Sequence, residues 1–568
     1  MYDIVRDSSF GLAVRYLTRS RYFLHPDEKP GFELPSPTLE DDEKTAASDS
    51  EGATDLDVEG GNTEAKSEDI ENPPMSRPDG HDGHSLAATV SRPIHPVLTS
   101  SGITLIDWYS TDDPENPMNW SSGKKIYVSV LLSIYTFAVY IGSSIYTPGM
   151  GQIEERFGVG PTASALGMSL YVLAYGIGPM LFSPLSEIPA IGKNPPYVAT
   201  FAIFVILTIP SALTDSFAGL LVLRFLLGFF GSPCLATCGA SFQDMFPLIK
   251  IPYLMVLWAG SATLGPALGP VIAGYSVQAE NWRWSQWEML WLSGPIFIVM
   301  FLSLPETSAA TILYQRAHRI RKVLNRTDLK SQSEIDQAHM NVKQVAFDAL
   351  VKPWEINALD PAVLFSTVYT SLLYGIFYSF FESTPQVFPK IYHFSLGASG
   401  LPYLSAAVAL LVICPIYTAY WYIFVERPFA VKGLGPPEDR LKVGLVGSVV
   451  IPSGLFLYAW TSTASVHWIA PTIGLGMSVA GTFLIIQSIF LYLPFTYPKY
   501  AASLFAANDF ARSSVAAAAI LFSRPLFINL GVGPGVSLLG GLTIVCAVLL
   551  FLLYKYGAVL RARSRFAG

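Results

Sequence analysis

The chain has 568 residues, 51% of them hydrophobic and 14% charged, with a formal net charge of −7 and a mean hydropathy of +0.40. A soluble protein carries roughly a quarter charged residues, so this composition excludes an ordinary cytosolic enzyme. Residues 1–125 hold 24 acids and 11 bases, whereas the remaining 443 hold 19 acids and 25 bases. An acidic, polar segment thus precedes an apolar, mildly basic one. The four cysteines, Cys234, Cys238, Cys414 and Cys546, sit in apolar runs and make no disulfide framework. No nucleic-acid module shows in the charge pattern, which leaves the polytopic membrane class.

The opening segment mixes Ile4, Phe10, Val14 and Leu17 with Arg6, Arg15, Arg19 and Arg21. It reads either as a short basic amphipathic helix on the inner leaflet or as a frayed terminus. It has no early apolar run resembling a cleaved signal peptide. Residues 40–71 are acidic, rich in Ser and Gly and poor in large apolar side chains, which is the composition of a disordered segment. Residues 1–125 are therefore expected to form a cytoplasmic, largely disordered tail.

A helix that crosses a bilayer needs about 20 mostly apolar residues. Six such stretches lie at 126–146, 162–182, 196–213, 217–236, 252–275 and 286–304, and six more at 361–385, 398–422, 443–460, 468–491, 500–522 and 534–554. Between the two sets lies a polar stretch dense in Arg316, Arg319, Arg321, Lys322, Arg326 and Lys330. The expected fold is all-α and polytopic. Two six-helix bundles, 126–304 and 360–554, are joined by a cytoplasmic connector, 305–359, and followed by a basic cytoplasmic tail, 555–568. With the N-terminus inside, 21 Lys and Arg face the inner side and four, Arg156, Arg283, Lys390 and Arg524, face the outer side. That asymmetry places both termini in the cytoplasm.

No G-x-x-x-x-G-K-[ST] loop is present and the eight histidines lack metal-ligand spacing. No metal, no cofactor and no nucleophile–base constellation is expected, so the chain is not read as an enzyme. Uphill movement would then draw on an ion gradient, a proton gaining about 2.3 kcal/mol across about 100 mV.

Three strings carry the chemistry that remains. After the second stretch, Gly178, Pro184, Glu187, Gly192 and Lys193 make a small-residue turn in which Glu187 and Lys193 can pair as a latch. The fourth stretch holds Arg224, with Gly228 one turn on. An arginine inside a span is expensive and by default marks function; the plain alternative is a snorkelling or carbonyl-capping side chain. The fifth holds Gly260, Gly265, Pro266, Gly269, Pro270 and Gly274. These make a small-residue ridge that lets a neighbouring backbone approach, with prolines that add a bend.

Together these strings resemble motifs A, B and C of the major facilitator superfamily, the third in the version associated with its drug:proton antiporters. The similarity extends to fungal multidrug efflux pumps of the fluconazole, benomyl and cycloheximide resistance type. It is carried by residues 112–120 (DDPENPMNW), 281–284 (NWRW), 305–307 (PET), 380–382 (FFE), 437–441 (PEDRL) and the tail strings MYDIV and DEKP. Motif A departs from the family pattern, with Glu187 for the usual Asp and Lys193-Asn194 for the usual basic pair. The resemblance implies the major facilitator fold, alternating access and a multi-pass place in a fungal plasma membrane. It further implies proton-coupled efflux of lipophilic small molecules such as antifungals or toxins, by a monomer whose partners are substrate, protons and membrane lipids, with no nucleic acid. It also implies a part for Arg224 in proton exchange. Two rivals are a proton symporter importing a nutrient or amine and a non-transporting membrane sensor. Against the first, sugar porters carry Pro-Glu-Ser-Pro-Arg where this chain has Pro305-Glu-Thr-Ser-Ala.

The seventh stretch places Ser371, Tyr374, Tyr378 and Phe381 on one helical face, which suits a large, mostly apolar solute. Tyr171 and Tyr175 from the second stretch and Phe483, Gln487 and Phe490 from the tenth are further candidates, the alternative for any one being plain packing. The first five spans hold no carboxylate. The candidate proton carrier is therefore Asp509, with Arg512 at i+3 as a switchable or a static partner, and Glu382 is second; Glu288 also remains.

Overall fold

The computed structural model describes residues 2–39, 91–99, 102–338, 351–433, 435–497 and 501–566. Among them twelve helices are long and apolar enough to cross a membrane. Spans 1 to 6 are Ser122–Phe157, Pro161–Ser186, Asn194–Leu213, Phe217–Met245, Leu248–Ala279 and Trp284–Ser303. Spans 7 to 12 are Pro361–Ile391, Ala398–Phe429, Pro437–Thr461, Ile469–Thr496, Leu504–Leu530 and Val532–Arg563.

Several ends differ from the apolar pattern for local reasons. Span 1 continues past a 3-10 turn at Thr147–Gly149 into the amphipathic helix Met150–Phe157. In span 4 the helix breaks at Ser232 and restarts at Pro233, because a proline ring removes an N–H but fits a helix start. Span 12 stays helical to Arg563, so the basic tail expected from 555 is mostly the last turns of a helix. Nothing there breaks it, and Leu, Ala and Arg are good helix formers.

The halves repeat each other. In the first, span 1 packs on span 5, span 2 on span 4 and span 3 on span 6; in the second, 7 packs on 11, 8 on 10 and 9 on 12. The same pairing recurs six spans later, as in a duplicated transporter. Across the halves, span 2 meets span 11 and span 5 meets span 8.

The tail is not disordered at its described ends; the acidic stretch 40–71 lies outside the described residues. Helices Tyr2–Arg6 and Ser9–Leu17, the loop before span 1 and the connector helix Ala309–Leu324 form a cap under the first half. A small four-stranded sheet, Thr38–Leu39, Val97–Leu98, Thr104–Leu105 and Leu329–Lys330, ties tail to connector. The opening helices do not lie free on a leaflet. Phe10 packs on Phe301 of span 6, ring centroids 6.1 Å apart, and Arg15 is buried against Glu28 at 2.6 Å. The knot of the cap is Arg316, 1% exposed, which donates to Asp113 at 2.8 Å and to Glu115 at 2.9 Å. Arg319 joins Asp27 at 3.0 Å and Glu115 at 3.3 Å, and His25 lies 3.0 Å from Glu115. Burial opposes the Glu115 charge, but the contact with His25 and the Arg319 and Arg316 guanidiniums outweigh it and hold its carboxyl well below the usual range.

Candidate functional site

Two cavities and a polar layer lie between the halves. The first cavity, about 80 Å³, is lined at the connector ends of spans 2, 4, 5, 10 and 11 by Ser183, Gln243, Leu248, Phe495 and Phe505, and more deeply by Trp258, Phe490 and Asp509. The second, about 40 Å³, lies beyond Trp258 and is lined by Tyr140, Thr263, Tyr374, Phe377, Phe483 and Arg512. Trp258 lines both, its indole N–H fixed on the Cys234 carbonyl at 3.1 Å. Both walls are mainly apolar and aromatic, as a site for a lipophilic solute requires.

Asp509 and Arg512 bridge the two cavities. Their side chains are 4% exposed and 2.6 Å apart. Arg512 also donates to the Tyr140 hydroxyl on span 1 at 3.2 Å and lies over the Tyr374 ring at 4.7 Å. A buried ion pair gives little net stability, yet losing one partner leaves a costly unpaired charge.

The polar layer stands next to this pair. The Tyr175 hydroxyl of span 2 meets the hydroxyls of Tyr374 and Tyr378 of span 7, the latter at 2.8 Å, and Tyr378 reaches Ser143 of span 1 at 3.1 Å. Phenol bodies fill the seam while their hydroxyls satisfy one another. Above the layer, Ser169 of span 2 donates to the Ala517 carbonyl of span 11 at 2.9 Å.

The candidates therefore divide among different places. Tyr374 and Phe490 face the cavities. Tyr175 and Tyr378 belong to the layer. Gln487 donates to the Met255 carbonyl on span 5 at 2.9 Å, and the Ser371 hydroxyl is buried without a hydrogen-bond partner among the described residues. Tyr171 donates to the Val139 carbonyl at 2.6 Å and stacks under Arg224. Phe381 and Glu382 lie elsewhere, in a third cavity at the end away from the connector.

Arg224 is fully buried, and its partners are the carbonyls of Gly167 at 3.0 Å, Gly142 at 2.7 Å and Ser143 at 3.3 Å. The rings of Tyr171 and Tyr146 flank it at 4.5 and 4.9 Å. It forms no ion pair among the described residues and stitches spans 1, 2 and 4 through these carbonyls, as in the carbonyl-capping alternative. The expected latch needs correction: Lys193 pairs with Asp244 of span 4 at 2.5 Å, while Glu187 is exposed and feels the Lys193 charge without a salt bridge to it among the described residues. Glu306 completes it, accepting the backbone N–H groups of Lys193 at 3.0 Å, Asn194 at 3.0 Å and Ser308 at 2.9 Å, a carboxylate seated on the start of span 3. Gly192 turns the chain there at φ +78°, a conformation glycine adopts freely. Pro184 is inside the last turn of span 2. Lastly, Gly260 faces open space and is no part of a packed ridge.

The rest of the ridge is close-packed. A Cβ at Gly265 would lie 2.9 Å from the Ile141 nitrogen, at Gly269 2.8 Å from the Ile145 nitrogen, and at Gly274 3.2 Å from the Leu396 carbonyl. Pro266 and Pro270 lie within an unbroken helix, Ile251–Ala279. Gly178 meets the Phe229 carbonyl and Gly228 the Tyr171 backbone in the same way. Sequence reasoning passed over Trp258, Asp244 and Glu306 as parts of the site. Trp258 carries no spacing signal, and the partners of Asp244 and Glu306 are distant in the chain.

The profile of the Major Facilitator Superfamily matches residues 132–520. The chain is 44% identical over 568 residues to the MFS-type transporter pyvG of Aspergillus violaceofuscus, covering 100% of both chains. It is 35% identical over 578 aligned positions to the cycloheximide resistance protein of Candida maltosa, again covering 100% of both. Among solved structures, that of a peptide transporter (POT) superposes with a TM-score of 0.55 at 13% identity, covering 78% of this chain and 98% of that one.

Proposed function

The chain belongs to the major facilitator superfamily, and from that premise we propose that it exports lipophilic small molecules, antifungals or toxins among them, in exchange for protons. Relatives named for drug resistance support the substrate class. The two six-helix units, 126–304 and 360–554, rock about the cavities that Trp258 separates. The chain acts as a monomer in a fungal plasma membrane, with both termini cytoplasmic and the connector-end cavity facing the cytosol.

The observation that carries the reading is the Asp509–Arg512 pair, 2.6 Å apart on the wall between the cavities and tied to Tyr140 of the other half. A proton taken by Asp509 frees Arg512 from its carboxylate and loosens its hold across the seam. Loss of the proton re-forms the pair in the other access state. Substrate sits against Trp258, Phe490 and Tyr374.

Proteoliposomes with an imposed pH gradient test this. Asp509→Asn should bind substrate within about twofold of the unaltered protein yet lose gradient-driven transport by about a hundredfold, the scale of a proton-transfer contribution. Gradient-driven transport that survives in Asp509→Asn and disappears in Glu382→Gln would move the proton site to Glu382.

A further inference from the structure

The third cavity lies at the end of the molecule away from the connector, beyond the tyrosine layer. Its volume is about 420 Å³. Glu382 of span 7 lines it, 4% exposed, and its Oε1 has no hydrogen-bond partner among the described residues. Beside it, Phe381 stacks on Tyr403 with ring centroids 5.0 Å apart and planes 14° from parallel. The Tyr403 ring is held in place by its hydroxyl, which donates to the Phe380 carbonyl at 3.1 Å. The other charged residues on the wall are Glu154, Glu155, Lys390 and Arg524. Arg524 is shared: it lies 3.8 Å from Glu154, which also accepts from Ser164 at 2.8 Å, and its positive charge acts on Glu382 as well.

A buried carboxylate oxygen without a hydrogen-bond partner is costly. Here it stands at the edge of a stacked aromatic pair in a cavity large enough for a solute. Carboxylate and aromatic face together are the two elements that recognise an organic cation, the first taking the N–H donors and the second the apolar body and spread charge. We propose that this cavity is a second binding site, separate from the one at Asp509, for a lipophilic organic ammonium: its nitrogen rests on Glu382 and its apolar part against Tyr403, which the fully buried Phe381 backs. The site does not depend on Asp509 carrying the proton, because the tyrosine layer stands between the two carboxylates.

The test is equilibrium binding to the full chain in lipid nanodiscs, with 4-phenylbutylammonium as probe and 4-phenylbutanol as its uncharged counterpart. Glu382→Gln should weaken the ammonium by about tenfold or more, as expected for a desolvated charge pair, and leave the alcohol within twofold. Gly151→Trp supplies a second variant that keeps Glu382. Gly151 lines the cavity and a Cβ there meets no atom within 4 Å, so the indole fills space and should weaken both probes with an unchanged melting midpoint. Asp509→Asn should leave ammonium binding unchanged. The proposal is overturned if the ammonium fails to bind, if Glu382→Gln binds it normally or loses both probes alike, or if Asp509→Asn is the variant that loses it.

Discussion

Arg224 shows how a costly side chain can be structural and still be needed for function. Its guanidinium is shared among three carbonyls and two aromatic rings, and a hydrogen bond from a charged group is worth about 1.5–3 kcal/mol. Arg224→Ala should lower the melting midpoint and transport together. Arg224→Lys should recover part of both, since an ammonium lacks the planar fork that reaches two helices. The pH profile of residual transport should not move, because no carboxylate shares the site; a displaced profile would restore a part in proton exchange. Glu115 makes the opposite case. Its carboxyl titrates well below the usual range in the folded cap, so its contribution is present above the unfolded value of about 4.3 and is lost as pH falls below that. Limited proteolysis of the opening segment should therefore be unchanged from neutral pH down to about 5 and rise steeply below about 4. Cleavage that already rises near pH 6 would show that Glu115 is not what holds the segment.

Among the helices, span 5 separates the close contact from the open one within a single glycine series. Gly265→Leu and Gly269→Leu drive a side chain into the span 1 backbone, a strain of at least about 1–3 kcal/mol, and should cut efflux at unchanged surface abundance. Gly260→Leu should not, because nothing faces it. Equal damage at all three positions would mean that the ridge is not what matters. The same span shows what was legible in the sequence. Twelve apolar runs betray twelve helices because the bilayer demands length and hydrophobicity, and both are local properties. Glycine spacing showed that span 5 packs closely, but not which glycines face the neighbour, since that depends on the rotation of the helix. Lys193 was read with Glu187 because they are six residues apart in the chain. Its partner Asp244 reaches it only once span 4 is folded back. The partners of Arg224 are backbone carbonyls, which leave no trace in a sequence at all.

For the molecule as a whole, the cap decides between a pump and a sensor. Deleting residues 40–80 should leave efflux within about twofold. Deleting 1–39 should reduce it, because Ser9 contacts Asn194 beside the Lys193–Asp244 latch and removing one side of a buried charge cluster costs about 3–5 kcal/mol. A sensor would instead lose its output with 40–80. The cap has a further consequence for the order in which the chain is made. Asp27, Asp113 and Glu115 emerge early, yet their cations, Arg316 and Arg319, follow only after six spans have been synthesised. Until then Glu115 has only His25 and Arg6 to close upon, and Asp27 and Asp113 lack their guanidiniums. Once the connector helix appears, the first half is sealed from below by its own beginning. Since domains fold as units and N-terminal ones first, the ribosome would release a finished half before the seventh span exists, and the second half would assemble against a completed template.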